Sequence, residues 1–405
     1  MSPSYQAFKL PLVFFDASTL LEINKNRSWP TPLQGESFAD CPLMAALASI
    51  AWVNRKFIVN SISRPDGVNY TFTFWSYKSA LASSTTDANS ATGGTVSLGG
   101  QLNATDTKTT VAGTKTYITV APEVLLDGNS RLADPNGTFY GAGSSITNEI
   151  WPAVFERAYA KFCFFENNLK PAAGALQCTV SNDALGNTIN TVSGPDPTYD
   201  DLKSLTMTQW GGNAGIALMY LTGVNCFQCS TTSLAVPTGS SIITVDTSAM
   251  YKFIKSAFCV DSGSKRRPNC LNKTRYPLVA VTYPEGCQLG GVKFSPDASQ
   301  GIVNSHCYAI LGTFASPNGH NYIVLRTTFG LKDPSALTGI APSGYSTWQY
   351  NDARFQIGGS DWFPPDNTNS ITLKLDLSLG DAVFGLEESV FCNYFQTLAW
   401  AEGYK

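Results

Sequence analysis

The chain is 405 residues long, with 43% hydrophobic and 14% charged residues and a formal net charge of −3. That length can bury a substantial core and predicts two lobes, and the composition excludes a disordered chain. The short run Lys265-Arg266-Arg267 reads as a solvated loop tip, and nothing else clusters basic charge, so neither nucleic acid nor an anionic membrane is expected as the main partner.

The apolar piece Leu10 to Phe15 is too short for a secretory h-region and has no small-residue cleavage site, and no stretch approaches the ~18–20 apolar residues of a membrane helix. The expected location is therefore cytoplasmic, with unconventional secretion left open. On that expectation the sequons at Asn26, Asn69, Asn103, Asn136 and Asn272 would not meet the glycosylation machinery. The ten cysteines are irregularly spaced, and Cys163 and Cys392 sit inside apolar runs; they read as small buried hydrophobes, not as a disulfide framework.

The first strong helix signal follows Cys41: Pro42 suits a first helical position, and the residues to Trp52 are strong helix formers. Cys41 would stand at that helix's N-terminus, where unpaired amides and the dipole favour an anion such as a thiolate. From about Val68 to Val120 the composition turns to Thr, Ser, Gly and alternating β-formers. Strands are expected at Tyr70 to Trp75 and Thr116 to Val120, with a mobile loop at Thr85 to Gly100. Further helices are predicted at Ile146 to Phe165, Gly212 to Leu221 and Ser248 to Phe258. Beyond Tyr276 strands dominate, at Pro277 to Tyr283, His306 to Leu311, Asn321 to Arg326 and Ile371 to Leu377. Helices first and strands later predict an α+β protein of two lobes, with no internal repeat.

Only two histidines occur, His306 and His320. His320 lies in a turn-rich segment, whereas His306 opens an apolar strand, where its ring could point into a cleft. Cysteine nucleophiles need a thiolate, a base and oxyanion donors, and the base comes from a residue near in space, not in sequence. Cys41 and His306 can supply the first two, and Gln34 could add a side-chain amide.

Four segments carry a resemblance. Gln34-Gly-Glu-Ser-Phe-Ala-Asp40-Cys41-Pro-Leu-Met-Ala-Ala-Leu-Ala-Ser49 resembles the Gln-Gly-x-x-Gly-Asp-Cys-Trp-x-x-Ala-Ala-x-x-Ser element of the calpain family of papain-like cysteine peptidases. Glu149 to Phe162 resembles that family's Trp-x-x-Leu-x-Glu-Lys-Ala-Tyr-Ala-Lys helix. Gly211 to Gly223 is similar to its Gly-Gly-x-x-x-x-Ala-Leu-x-x-Leu-Thr-Gly stretch, and Gly301 to Ile310 to the strand that carries its catalytic histidine. The blocks run in the family's order from Gln34 to about Gly330.

The resemblance implies a papain-like two-lobed fold: residues 1–224 as a helical lobe with the nucleophile and a β-rich insertion at about 68–120, and residues 225–405 as a β-rich lobe with the histidine. It implies a thiol protease that hydrolyses a protein or peptide substrate, with Cys41 as nucleophile, His306 as general base and Gln34 as oxyanion donor. In the family's Arg-Asn-Pro-Trp-Gly block this chain has Arg326-Thr327-Thr328-Phe329-Gly330, which puts Thr327 in the orienting position and Phe329 in place of the shielding tryptophan. Pro42 replaces the tryptophan after the nucleophile, and the spacing from Gln34 to Cys41 is one residue longer. The alternative is a catalytically impaired relative that binds protein or carbohydrate.

Calcium is a cofactor by that resemblance alone. The acidic segments Asp196 to Asp201 and Asp361 to Asp366 have no EF-hand pattern and read as solvated loops, and Cys226-Phe-Gln-Cys229 lacks the second pair a zinc site needs.

Overall fold

The structure is a computed structural model. It describes residues 3–9, 12–14, 32–34, 38–54, 56–78, 113–133, 139–144, 148–211, 214–224, 226–231, 247–259, 272–284, 288–289, 292–293, 304–315, 321–328 and 383–401. The expected loop at Thr85 to Gly100, the basic run at Lys265, His320, the strand at Ile371 and the acidic segment at Asp361 lie outside them. The protein is α+β. The described residues up to Phe227 form one compact unit, and those from Gln228 to Trp400 a second.

In the first unit, strands β1 (Ser4–Ala7) and β2 (Pro32–Leu33) lead to helices α1 (Cys41–Val53) and α2 (Phe57–Asn60). Strands β3 (Ile62–Ser63), β4 (Tyr70–Ser76), β5 (Thr114–Val120), β6 (Glu123–Leu126) and β7 (Gly143–Ser144) follow, then helix α3 (Trp151–Glu166). The hairpin β8 (Gln177–Asn182) and β9 (Thr188–Ser193) precedes helices α4 (Tyr199–Ser204) and α5 (Ala214–Thr222). One five-stranded sheet has the order β3-β4-β5-β9-β8, all pairs antiparallel except β5 with β9. β4 alternates buried and half-buried residues along its whole length, as the period of two in its sequence requires. Its Phe72 and Phe74 meet Phe155 of α3 edge-on, at centroid distances of 5.0 and 5.6 Å. Edge-on aromatic contacts of this kind bury large apolar areas in a preferred geometry.

Helix α1 has no polar face. Every residue from Cys41 to Trp52 is buried, as an all-round apolar helix must be, and it packs against α5. α3 differs, for Glu156, Arg157 and Lys161 are buried on it and each is partnered. The Lys161 ammonium donates to the Thr119 and Gly194 carbonyls and to Asp196 Oδ1 at 2.8–2.9 Å, which uses all three of its hydrogens. Arg157 pairs with Glu123 at 2.7 Å and with Asp196 at 3.7 Å.

Helix α3 starts at Trp151, later than expected, because Pro152 fits only the first turn. The hairpin β8–β9 and helix α4 were not foreseen. All six residues of β8 are exposed, so no alternation marks them. α4 occupies the segment read as an acidic loop, where Thr198 and Asp201 form a capping box.

In the second unit strand β10 (Cys226–Ser230) is followed by helix α6 (Thr247–Phe258) and strands β11 (Asn272–Lys273), β12 (Leu278–Thr282), β13 (Gln288–Leu289) and β14 (Val292–Lys293). β15 (Cys307–Ala315), β16 (Asn321–Thr327), β17 (Val383–Glu387), helix α7 (Glu388–Tyr394) and β18 (Phe395–Ala401) complete it. The main sheet runs β10-β18-β12-β15-β16-β17, with β11 also on β15. β12 is buried at all five positions. α6 and α7 pack on each other, α6 also on β15 and α7 on β16.

Candidate active site

The candidate residues fall into two half-sites, one in each unit. In the first, Cys41 opens α1 and is buried. Pro42 occupies the first turn, where its missing N–H leaves no partner unmet. Gln34 Nε2 donates to the carbonyl of Phe38, three residues before Cys41, at 2.8 Å.

Between them lies Asp40, fully buried at the helix cap. Aspartate at this position ordinarily accepts from a backbone amide of the first turn, yet the Asp40 side chain makes no such bond. Both of its oxygens are buried, and the side chains of Glu156 and Gln34 lie close enough to affect its proton. Burial therefore pushes the Asp40 carboxyl up to about 7, opposed by hydrogen bonding with Glu156. Glu156, on α3, is raised well above the usual carboxylate range by burial and by the Asp40 charge. It accepts from the Ala142 N–H at 3.0 Å.

In the second unit His306 immediately precedes β15. Its backbone is clamped to the end of β12: the His306 N–H donates to Thr282 Oγ1 at 2.9 Å, and the Thr282 N–H donates to the His306 carbonyl at 2.9 Å. Ser305 before it has a positive φ of 47°, a backbone turn that swings the chain into the strand. The ring stands edge-on to Tyr308 at 5.1 Å. Its Nε2 lies 2.8 Å from the hydroxyl of Thr328.

Thr328, the first residue beyond β16, is thus placed on the imidazole. Thr327 is buried and opposite Tyr308 in the ladder. Sequence spacing alone does not distinguish two adjacent threonines. Where Thr328 accepts from Nε2–H, the neutral ring carries its lone pair on Nδ1, the nitrogen that can take a proton.

The acidic segment considered for calcium does not fit a metal. Asp196 accepts from Lys161 and from the Ala121 N–H. Asp201 accepts from Thr198 and from the Ala172 N–H. Among the described residues no group of three or more His, Cys, Asp or Glu is placed to hold a metal. The cysteines Cys41, Cys163, Cys178, Cys226, Cys259, Cys307 and Cys392 are in no disulfide. Compared with known proteins, the chain matches no family model and no curated protein.

Proposed function

We propose that the protein is a calpain-like cysteine endopeptidase of papain-like two-lobed architecture, with Cys41 as nucleophile and His306 as general base. The observation that carries this reading is the 2.8 Å hydrogen bond between His306 Nε2 and the Thr328 hydroxyl. It holds the imidazole in one orientation, which is part of the task of the third residue in such triads. The cysteine half is consistent with it, since Cys41 begins a helix whose first-turn amides and dipole favour a thiolate and the oxyanion that forms on attack.

In this mechanism His306 Nδ1 takes the thiol proton and the Cys41 thiolate attacks the peptide carbonyl carbon. The resulting oxyanion is met by the Cys41 N–H and, by the resemblance, by the Gln34 amide. His306 then protonates the leaving amine, and water hydrolyses the thioester to regenerate the thiol. A hydroxyl orients the ring less firmly than an amide carbonyl, so a slow enzyme is expected. Mass-spectrometric mapping of iodoacetamide adducts tests the assignment: Cys41 should label far faster than the other nine cysteines, and uniform slow labelling would overturn it.

A further inference from the structure

The ladder between β12 and β15 is regular up to its last step. Val279, Ala280 and Val281 face Ala309, Tyr308 and Cys307, and the same register continued by one residue sets Thr282 opposite His306. An antiparallel pair of this kind ordinarily exchanges two main-chain hydrogen bonds. The first of them is made, from the Thr282 N–H to the His306 carbonyl at 2.9 Å. The return bond is not main-chain: the His306 N–H donates to the Thr282 hydroxyl, also at 2.9 Å. That hydroxyl in turn donates to the His306 carbonyl at 3.3 Å. Both residues are buried.

The surrounding backbone is shaped to permit the exchange. On the other side of β12, its register with β18 shifts between Val281 and Thr282, and such irregularities re-aim side chains at the ends of pairing. On the β15 side Ser305, at φ 47°, donates its N–H to the Tyr283 carbonyl at 3.0 Å. His306 therefore stands at the mouth of a strand that lies between β12 and β16. Thr282 at the end of β12 holds its backbone, and Thr328 just beyond β16 meets its ring.

We propose that Thr282 is a positioning residue for the proposed reaction: its hydroxyl stands in for a main-chain acceptor and thereby turns the His306 ring onto Thr328. The proposal rests on the reading of His306 as the general base. Valine at position 282 has nearly the same shape and no acceptor. The buried His306 N–H then recovers a partner only by turning to the Thr282 main-chain carbonyl, as in a plain ladder, because leaving it unpaired is costly. That turn rotates residue 306 and carries the imidazole off Thr328.

The test combines steady-state kinetics on a peptide substrate with the imidazole nitrogen resonances of His306, for which His320 is the internal reference. Thr282→Val should lower kcat about ten- to a hundredfold with little change in KM, the scale expected of a misplaced catalytic group. Thr282→Ser restores the hydroxyl and should stay within about threefold of the wild type. Thr282→Cys, with a weaker acceptor, should fall between the two, and keeps the series open where the valine variant does not fold. Thr282→Val combined with Thr328→Val should lose little more than Thr282→Val alone, because both remove the same contact. The His306 Nε2 resonance should move in the same direction in each single valine variant.

Multiplied losses in the double variant, or an Nε2 resonance unmoved in the folded Thr282 variants, would overturn the proposal and make Thr282 a structural residue only. The resonance needs no turnover. A shifted Nε2 signal in a protein that cleaves nothing would keep the clamp and remove the peptidase; cleavage that Thr282→Val leaves intact would do the reverse.

Discussion

Thr328 and its neighbour Thr327 give the sharpest single-residue prediction. Thr328→Val keeps the shape and deletes the hydroxyl on His306 Nε2, which should lower kcat about tenfold, the effect of losing one hydrogen bond of about 1–1.5 kcal/mol. Thr327→Val should have a smaller effect, and KM should change little in either; steady-state kinetics on a peptide substrate checks both. At this scale the sequence makes the proposed nucleophile and base legible as positions, because a cysteine at a helix start and a histidine before a strand leave local signals. The residue on the ring is not legible, since the choice between adjacent threonines depends on where β16 ends.

Elements were readable where burial imposes a period. β4 shows its alternation and α1 its unbroken apolar run, and both fold as their patterns demand. The β8–β9 hairpin has no buried face to impose one, and α4 was hidden in a polar stretch whose Thr198-x-x-Asp201 cap was its one local signal. α3 carries the element-scale prediction. Lys161→Met should destabilise the protein by about 1–3 kcal/mol, because it deprives Asp196 Oδ1 and the Thr119 and Gly194 carbonyls of their shared, buried donor. Urea unfolding monitored by tryptophan fluorescence checks this. At the end of α5, Gly223 has φ +72° and sits against the Trp75 ring, so a Cβ has neither a relaxed backbone nor space. Gly223→Ala should therefore lower Tm by several degrees, an effect of about 1–3 kcal/mol.

Across the whole molecule, buried acids set how stability depends on pH. Asp40, Glu156 and Glu166 keep their protons to higher pH in the folded state than in the unfolded chain, chiefly through burial. Between about pH 4 and 7 the folded state thus binds more protons, and stability falls as pH rises through that interval. Asp66, Asp127 and Asp183 have the opposite sign. Backbone and side-chain hydrogen bonds hold them low, Asp127 at about 2, so their contribution is present above about pH 4 and lost below it. Tm should peak between about pH 4 and 6 and be lower at pH 8, and Asp40→Asn should flatten the fall; scanning calorimetry across this range is the check. None of the described helices is long and apolar enough to cross a membrane.

Cleavage of unfolded casein by the wild type and by Cys41→Ala, each with calcium and with a chelator, tests the central claim most directly. Cleavage by the wild type alone, unchanged by the chelator, is the result this account predicts. Equal cleavage by Cys41→Ala, or none by a wild type whose fold is intact, would contradict it and favour a protein that binds protein or carbohydrate without cutting.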